Sequence, residues 1–170
     1  MDLYSSLKKH KILGSGRKAL NGMSMQNITI LLVEDNPDDE LLTLRALQKN
    51  NMGRNTFVVR DGTEALDFLF CRNSYADRDP HDLPGLILLD LKIPKIDGLE
   101  VLNIIRTDSR TQLVPVVVLT SSKEEQDLIR GYKGGANSYI RKPVDFNRFM
   151  EYVQELGLYW LRLNEGPPNP

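Results

Sequence analysis

Leu86-Ile-Leu-Leu-Asp-Leu-Lys-Ile-Pro94 begins with four apolar residues in an unbroken run and then turns abruptly to an acid. A continuous run, rather than alternating apolar and polar residues, suits a strand covered on both faces. Working outward, the same signature recurs at Ile28–Val33, Thr56–Val59, Val114–Leu119 and, in short form, Ser138–Ile140. Pro115 sits near the start of its run, where a missing N–H is tolerated. The segments between the runs have helical spacing. Leu41, Leu44 and Leu47 share one side, as do Ala65, Leu66, Leu69 and Phe70; Val101, Leu102 and Ile105; and Phe146, Phe149, Met150, Val153 and Leu156. Five strands alternating with five helices predict an α/β protein with a parallel sheet and helices on both faces.

Start signals support the helices. Asn36 can cap a helix, with Pro37 in the first helical position and Asp38, Asp39 and Glu40 complementing the dipole of the first turn. Asp61 with Glu64, Asp97 with Glu100, and Ser122 with Glu125 have capping-box spacing. Residues 124–133 have the weakest stripe, only Leu128, Ile129 and Tyr132. Residues 72–85, rich in Asp, Asn, Pro and Gly, read as a long surface loop, and the last helix is expected to reach Leu163.

The functional signal lies at the carboxyl end of each apolar run. Glu34 and Asp35 come directly after the first, Asp90 after the third and Thr120 after the fourth, while Arg141 and Lys142 come after the fifth. In a parallel sheet these carboxyl ends share one edge, where open α/β sheets bind ligands. Carboxylates gathered together repel one another unless a cation joins them. With no His or Cys in the set, all-oxygen ligation points to Mg2+ or a similar hard ion. Lys142 offers a point charge, and Thr120 a hydrogen bond, to phosphoryl oxygens. Asp90 has the chemistry of an acyl-phosphate-forming nucleophile.

At these residues the chain resembles the receiver domains of two-component response regulators. The resemblance rests on Leu31-Leu-Val-Glu-Asp-Asn36, Leu88-Leu-Asp-Leu-Lys-Ile-Pro94 with Asp97-Gly98, Val117-Val-Leu-Thr-Ser121 and Tyr139-Ile-Arg-Lys-Pro143. It implies a flavodoxin-like doubly wound sheet of order 2-1-3-4-5. It implies Asp90 as phospho-acceptor; Glu34, Asp35, Asp90 and the backbone carbonyl of Lys92 as Mg2+ ligands; Thr120 and Lys142 as partners of the phosphoryl group; and Thr120 and Tyr139 as the switch pair. Pro143 matches a proline often preceded by a cis bond. Lys92 and Ser122 match positions where phosphoryl lifetime is often tuned. The implied partners are a bacterial sensor histidine kinase, a downstream protein, and a second copy of the chain meeting the face of the fourth helix, fifth strand and fifth helix or the C-terminal helix. The 72–85 loop and the tail Tyr159-Trp-Leu-Arg-Leu163 resemble small regulators associated with phytochrome-type kinases.

Bulk properties agree. The chain has 170 residues, a net charge of -1 and one cysteine. It is long enough for one well-packed domain, its balance predicts neither nucleic acid nor membrane as partner, and a disulfide framework is excluded. Cytoplasmic location is the expectation. Residues 1–27 hold five basic residues against one acid and read as a flexible basic leader, 28–163 as the receiver unit and 164–170 as an irregular tail. Two other readings share parts of the pattern. A phosphorylation-independent interaction module would commonly lack part of the acid set. An aspartyl phosphatase of the haloacid-dehalogenase kind would need an acid where Lys92 stands.

Overall fold

The computed structural model describes residues 28–52 and 55–167; the basic leader of residues 1–27 lies outside the described residues. The elements in chain order are β1 (Ile30–Val33), α1 (Pro37–Lys49), β2 (Thr56–Val59), α2 (Gly62–Leu69), a 3-10 turn (Asn73–Tyr75), β3 (Leu86–Leu89), α3 (Gly98–Thr107), β4 (Val116–Thr120), α4 (Glu125–Lys133), β5 (Ser138–Arg141) and α5 (Phe146–Leu158), which runs into a π turn (Tyr159–Leu163). The five strands form one parallel sheet in the order β2-β1-β3-β4-β5. This is the flavodoxin-like arrangement expected from the sequence. Among the described residues no helix is long and apolar enough to cross a membrane.

Each central strand buries both faces. On one side Ile30, Leu32, Leu86, Leu88, Val117 and Leu119 pack against α1 and α5 through Ala46, Leu47, Phe149, Val153 and Leu156. On the other side Leu31, Val33, Ile87, Leu89, Val116 and Val118 meet α2 and α3 through Ala65, Phe68, Val101, Leu102 and Ile105. Burying each such Leu, Ile or Val contributes about 2 kcal/mol. The unbroken apolar runs therefore follow from a sheet sandwiched between two helical layers.

Three of the expected helix starts form as read. The Asn36 side chain accepts from the N–H groups of Asp38 and Asp39, Asp61 from Glu64 N–H, and Asp97 from Glu100 N–H. The fourth differs. Glu124, with no side-chain cap, precedes α4, and the Ser122 hydroxyl turns inward to donate to Asp127 at 2.7 Å. The α1 stripe also differs: Leu41 is exposed, and the fully buried positions are Thr43, Ala46 and Leu47. The fourth strand begins at Val116 and includes Thr120. No cis peptide occurs among the described residues, so the bond before Pro143 is trans.

The 72–85 connection is a surface loop, as read, and side chains within it anchor it to α2. Arg78 lies over the Phe68 ring at 3.7 Å and donates to Phe68 O at 2.6 Å, while the Tyr75 hydroxyl donates to Glu64 at 2.9 Å. At the amino end of β4, Arg106 staples three segments. It donates to the carbonyls of Gln112, Val114 and Gly135 and to Asn137 Oδ1. Burial without a carboxylate partner lowers its pKa.

Candidate functional site

Register brings the acids together. Val33 pairs with Leu89, and Asp90 N–H donates to Val33 O at 3.0 Å, so the residues after β1 and β3 emerge side by side. Thr120 ends β4 opposite Arg141 of β5, and Lys142 N–H donates to Thr120 O at 2.8 Å, which returns the lysine toward the same edge. The α3 start closes beneath. A Cβ on Gly98 would stand 2.3 Å from Asp90 O, so glycine alone permits this approach.

Asp90 is 5% exposed, and both its carboxylate oxygens are engaged. Oδ1 accepts from the Thr120 hydroxyl at 2.7 Å and from Lys92 N–H at 3.1 Å. Oδ2 lies 2.8 Å from Lys142 Nζ. The same ammonium bonds Asp39 Oδ2 at 2.8 Å and Glu34 Oε2. Glu34, Asp39 and Asp90 thus surround Lys142, and one oxygen from each acid falls within 4.8 Å of the others.

The electrostatics follow from burial. Glu34 is 1% exposed; desolvation pushes its carboxyl up to about 7, with the neighbouring Asp90 charge adding and Lys142 opposing. Burial also acts against the charge on Lys142, but Asp90, Asp39 and Glu34 together outweigh it and hold its pKa above the usual lysine range. Three carboxylates around one ammonium leave an excess of negative charge on an all-oxygen donor set. These residues fit a hard divalent cation.

Glu34, Asp90, Thr120 and Lys142, expected from the sequence, therefore converge. Asp35 does not enter this cluster: it is exposed at the end of β1 and makes no hydrogen bond or ion pair with a described residue. Asp39, read in the sequence as a helix-dipole acid, takes the third place. Tyr139, on β5, packs against α4, its ring 6.4 Å from that of Tyr132 and its buried hydroxyl without a partner among the described residues. Beside the cluster, Asp127 of α4 is buried and joins Ser122 to Lys92, whose Nζ lies 3.1 Å away. The Ser122 hydrogen bond, partly offset by burial and aided by Lys92, keeps Asp127 below the usual carboxylate value. Nothing in the apolar pattern around Asp127 announced this role.

Known proteins resemble this chain in sequence and fold. The family model described as "Response regulator receiver domain" matches residues 30–154. The probable methanogenesis regulatory protein FilR2 of Methanothrix harundinacea is 41% identical over 138 residues, spanning 81% of this chain and 86% of that protein. The phosphorylated cyanobacterial phytochrome response regulator RcpA superposes with a TM-score of 0.77 at 37% identity, covering 82% of this chain and 98% of that one. The Mn(2+)-bound form of the response regulator Rcp1, a Synechocystis protein, gives 0.76 at 36% identity, over 82% and 99%.

Proposed function

The chain belongs to the response regulator receiver domain family, whose function is phospho-accepting signalling, and from that membership we propose that Asp90 takes a phosphoryl group from a sensor histidine kinase. The observation that carries this is the buried Asp90 carboxylate held between Lys142 Nζ at 2.8 Å and the Thr120 hydroxyl at 2.7 Å. An Asp90 oxygen bonds phosphorus as the donor's nitrogen–phosphorus bond breaks, and the bonding pair stays with the donor. Lys142 and Thr120 then face the equatorial oxygens, where charge must be neutralised.

Mg2+ fits as the cofactor, held by Glu34, Asp90, the Lys92 backbone carbonyl and Asp35 from the solvent side, with Asp39 flanking. When bound, it supplies charge neutralisation to the phosphoryl oxygens. Residues 28–163 act as one unit.

Thr120 and Tyr139 form the switch. Drawing the Thr120 hydroxyl onto a phosphoryl oxygen frees the space into which Tyr139 turns. An unsatisfied buried hydroxyl costs on the order of 1–3 kcal/mol, so Tyr139 gives up no hydrogen bond on moving. Helix α4 suits a moving part, since it exposes Ile129 and Tyr132 and buries only Asp127 and Gly131 fully. The output passes to a downstream protein or a second copy of the chain. The exposed Ile129, Tyr132, Val144 and Phe146 around α4, β5 and α5, and Tyr159 and Leu163 beyond α5, support such contacts. The phytochrome association of RcpA supports a phytochrome-type kinase as donor.

Incubation with acetyl phosphate and Mg2+ tests the reading. Wild type is expected to gain one acid-stable, base-labile phosphoryl group per chain, and Asp90→Asn none. Equal labelling of both proteins, or of neither, overturns it. Sedimentation with and without beryllofluoride reports whether activation drives dimerisation.

A further inference from the structure

Asp127 is a charged group in a nearly closed place, 3% exposed on the inner side of the first turn of α4. Burying a carboxylate is costly unless it is paired, and both of its partners belong to the loops flanking Asp90. Its Oδ2 accepts from the Ser122 hydroxyl at 2.7 Å and meets Lys92 Nζ at 3.1 Å. Ser122 N–H donates to Thr120 Oγ1 at 3.3 Å, and Thr120 donates to Asp90. Lys92 N–H donates directly to Asp90 Oδ1 at 3.1 Å. One carboxylate therefore ties together the residues two beyond Asp90 and two beyond Thr120. Favourable interaction with the helix dipole does not require this inward position, because Glu125 in the same turn is exposed.

We propose that Asp127 is a positioning residue for phosphoryl loss: by pairing with Lys92 it holds that ammonium away from the phosphoryl group on Asp90 and keeps the water approach open. The inference rests on Asp90 being the phospho-acceptor. Phosphoryl loss needs a water oxygen to bond phosphorus while the phosphorus–Asp90 oxygen bond breaks. The bonding pair returns to the carboxylate, the water proton leaves to solvent, and inorganic phosphate departs. The incoming and leaving oxygens must be roughly in line. Lys92 stands at the mouth of the site, its side chain 57% exposed, with a flexible stem rooted two residues from the acceptor. Released from Asp127, its ammonium has a new anionic partner in the phosphoryl group and covers the face from which water attacks. Glu124, 3.9 Å from Lys92 Nζ and 69% exposed, is a weaker second anchor.

The test is a cycle of four proteins: wild type, Asp127→Asn, Lys92→Met and the double variant. Each is labelled with acetyl phosphate and Mg2+, freed of donor and followed for loss of label, after thermal melts establish that it is folded. Asp127→Asn is nearly isosteric and keeps an oxygen for Ser122. It is expected to slow loss by about fivefold, in the range of coupling within one network. In the Lys92→Met background the same substitution is expected to change nothing. Asp127→Glu, which keeps the charge, is expected to recover most of the wild-type rate. Wild-type decay in Asp127→Asn, or equal slowing with and without Lys92, overturns the inference while leaving Asp90 as acceptor. Absence of label from the wild type overturns both.

Discussion

Glu34→Gln isolates the electrostatic cost of assembling the site. Glu34 is buried, and desolvation lifts its pKa from an ordinary 4.5 to about 7 in the folded chain. Between these values the folded state holds a proton that the unfolded state has released. Its contribution to stability is therefore fully present below about pH 4.5 and is lost as pH rises through 7. Taking the two pKa values at face value, the wild type loses about 2 kcal/mol from this group between pH 5 and pH 7.5. Gln cannot titrate, so that loss should vanish from the variant. Urea unfolding with a chelator present, at the two pH values and in both proteins, measures it. Titrating groups remote from Glu34 cancel in the difference between the two proteins. The expected result is a wild type that falls, relative to Glu34→Gln, by about 2 kcal/mol on going to pH 7.5. Parallel pH dependences, or a wild type that gains relative to the variant, would refute the claim that Glu34 sits desolvated beside Asp90.

Three further outcomes rest on the same geometry. Lys142→Met leaves Glu34, Asp39 and Asp90 without their shared ammonium; it should cost about 3–5 kcal/mol at pH 7.5 in chelator, and added Mg2+ should return part of that in urea titrations. Gly98→Ala places a methyl 2.3 Å from Asp90 O; thermal melts should show a loss of about 1–3 kcal/mol, and acetyl phosphate labelling should slow because the Asp90 loop must move. Arg106→Ala removes four hydrogen bonds at the opposite end of the sheet; unfolding should become easier by about 3 kcal/mol, with labelling at the site retained in the folded fraction.

The fold was legible because its signals are local. Each central strand is an apolar run whose neighbours cover both faces, and Asn36, Asp61 and Asp97 mark helix starts through bonds to N–H groups two or three residues on. Strand ends are also local features, and parallel topology alone brings Glu34, Asp90 and Thr120 to one edge. Lys142 joins them because it leaves the last strand at that same edge. The inner faces of α2, α3 and α5 were also read correctly, as the burial of Leu66, Val101 and Val153 shows; what could not be read is the rotation of α1 and α4 about their axes. In α1 the leucines at 41, 44 and 47 suggested one inner face, but Leu41 is exposed while Thr43 and Ala46 are completely covered. Small residues permit the closer approach of helix to sheet, and that turns the helix. Asp39 lies four residues before Thr43 and seven before Ala46, so it shares their face and is carried to Lys142. Asp35, on the short link between β1 and α1, is left facing solvent. The same logic governs α4, where Asp127 and Gly131 lie four apart on the covered side. A Cβ on Gly131 would come 3.1 Å from the Tyr139 ring, so the glycine lets the aromatic residue sit close and α4 lie low. In both helices a carboxylate that joins the network of the site lies four residues before a small, covered residue, Asp39 before Thr43 and Asp127 before Gly131. In α4 this spacing accompanies the inward turn of Asp127, whereas Glu125, four residues before the exposed Ile129, faces solvent.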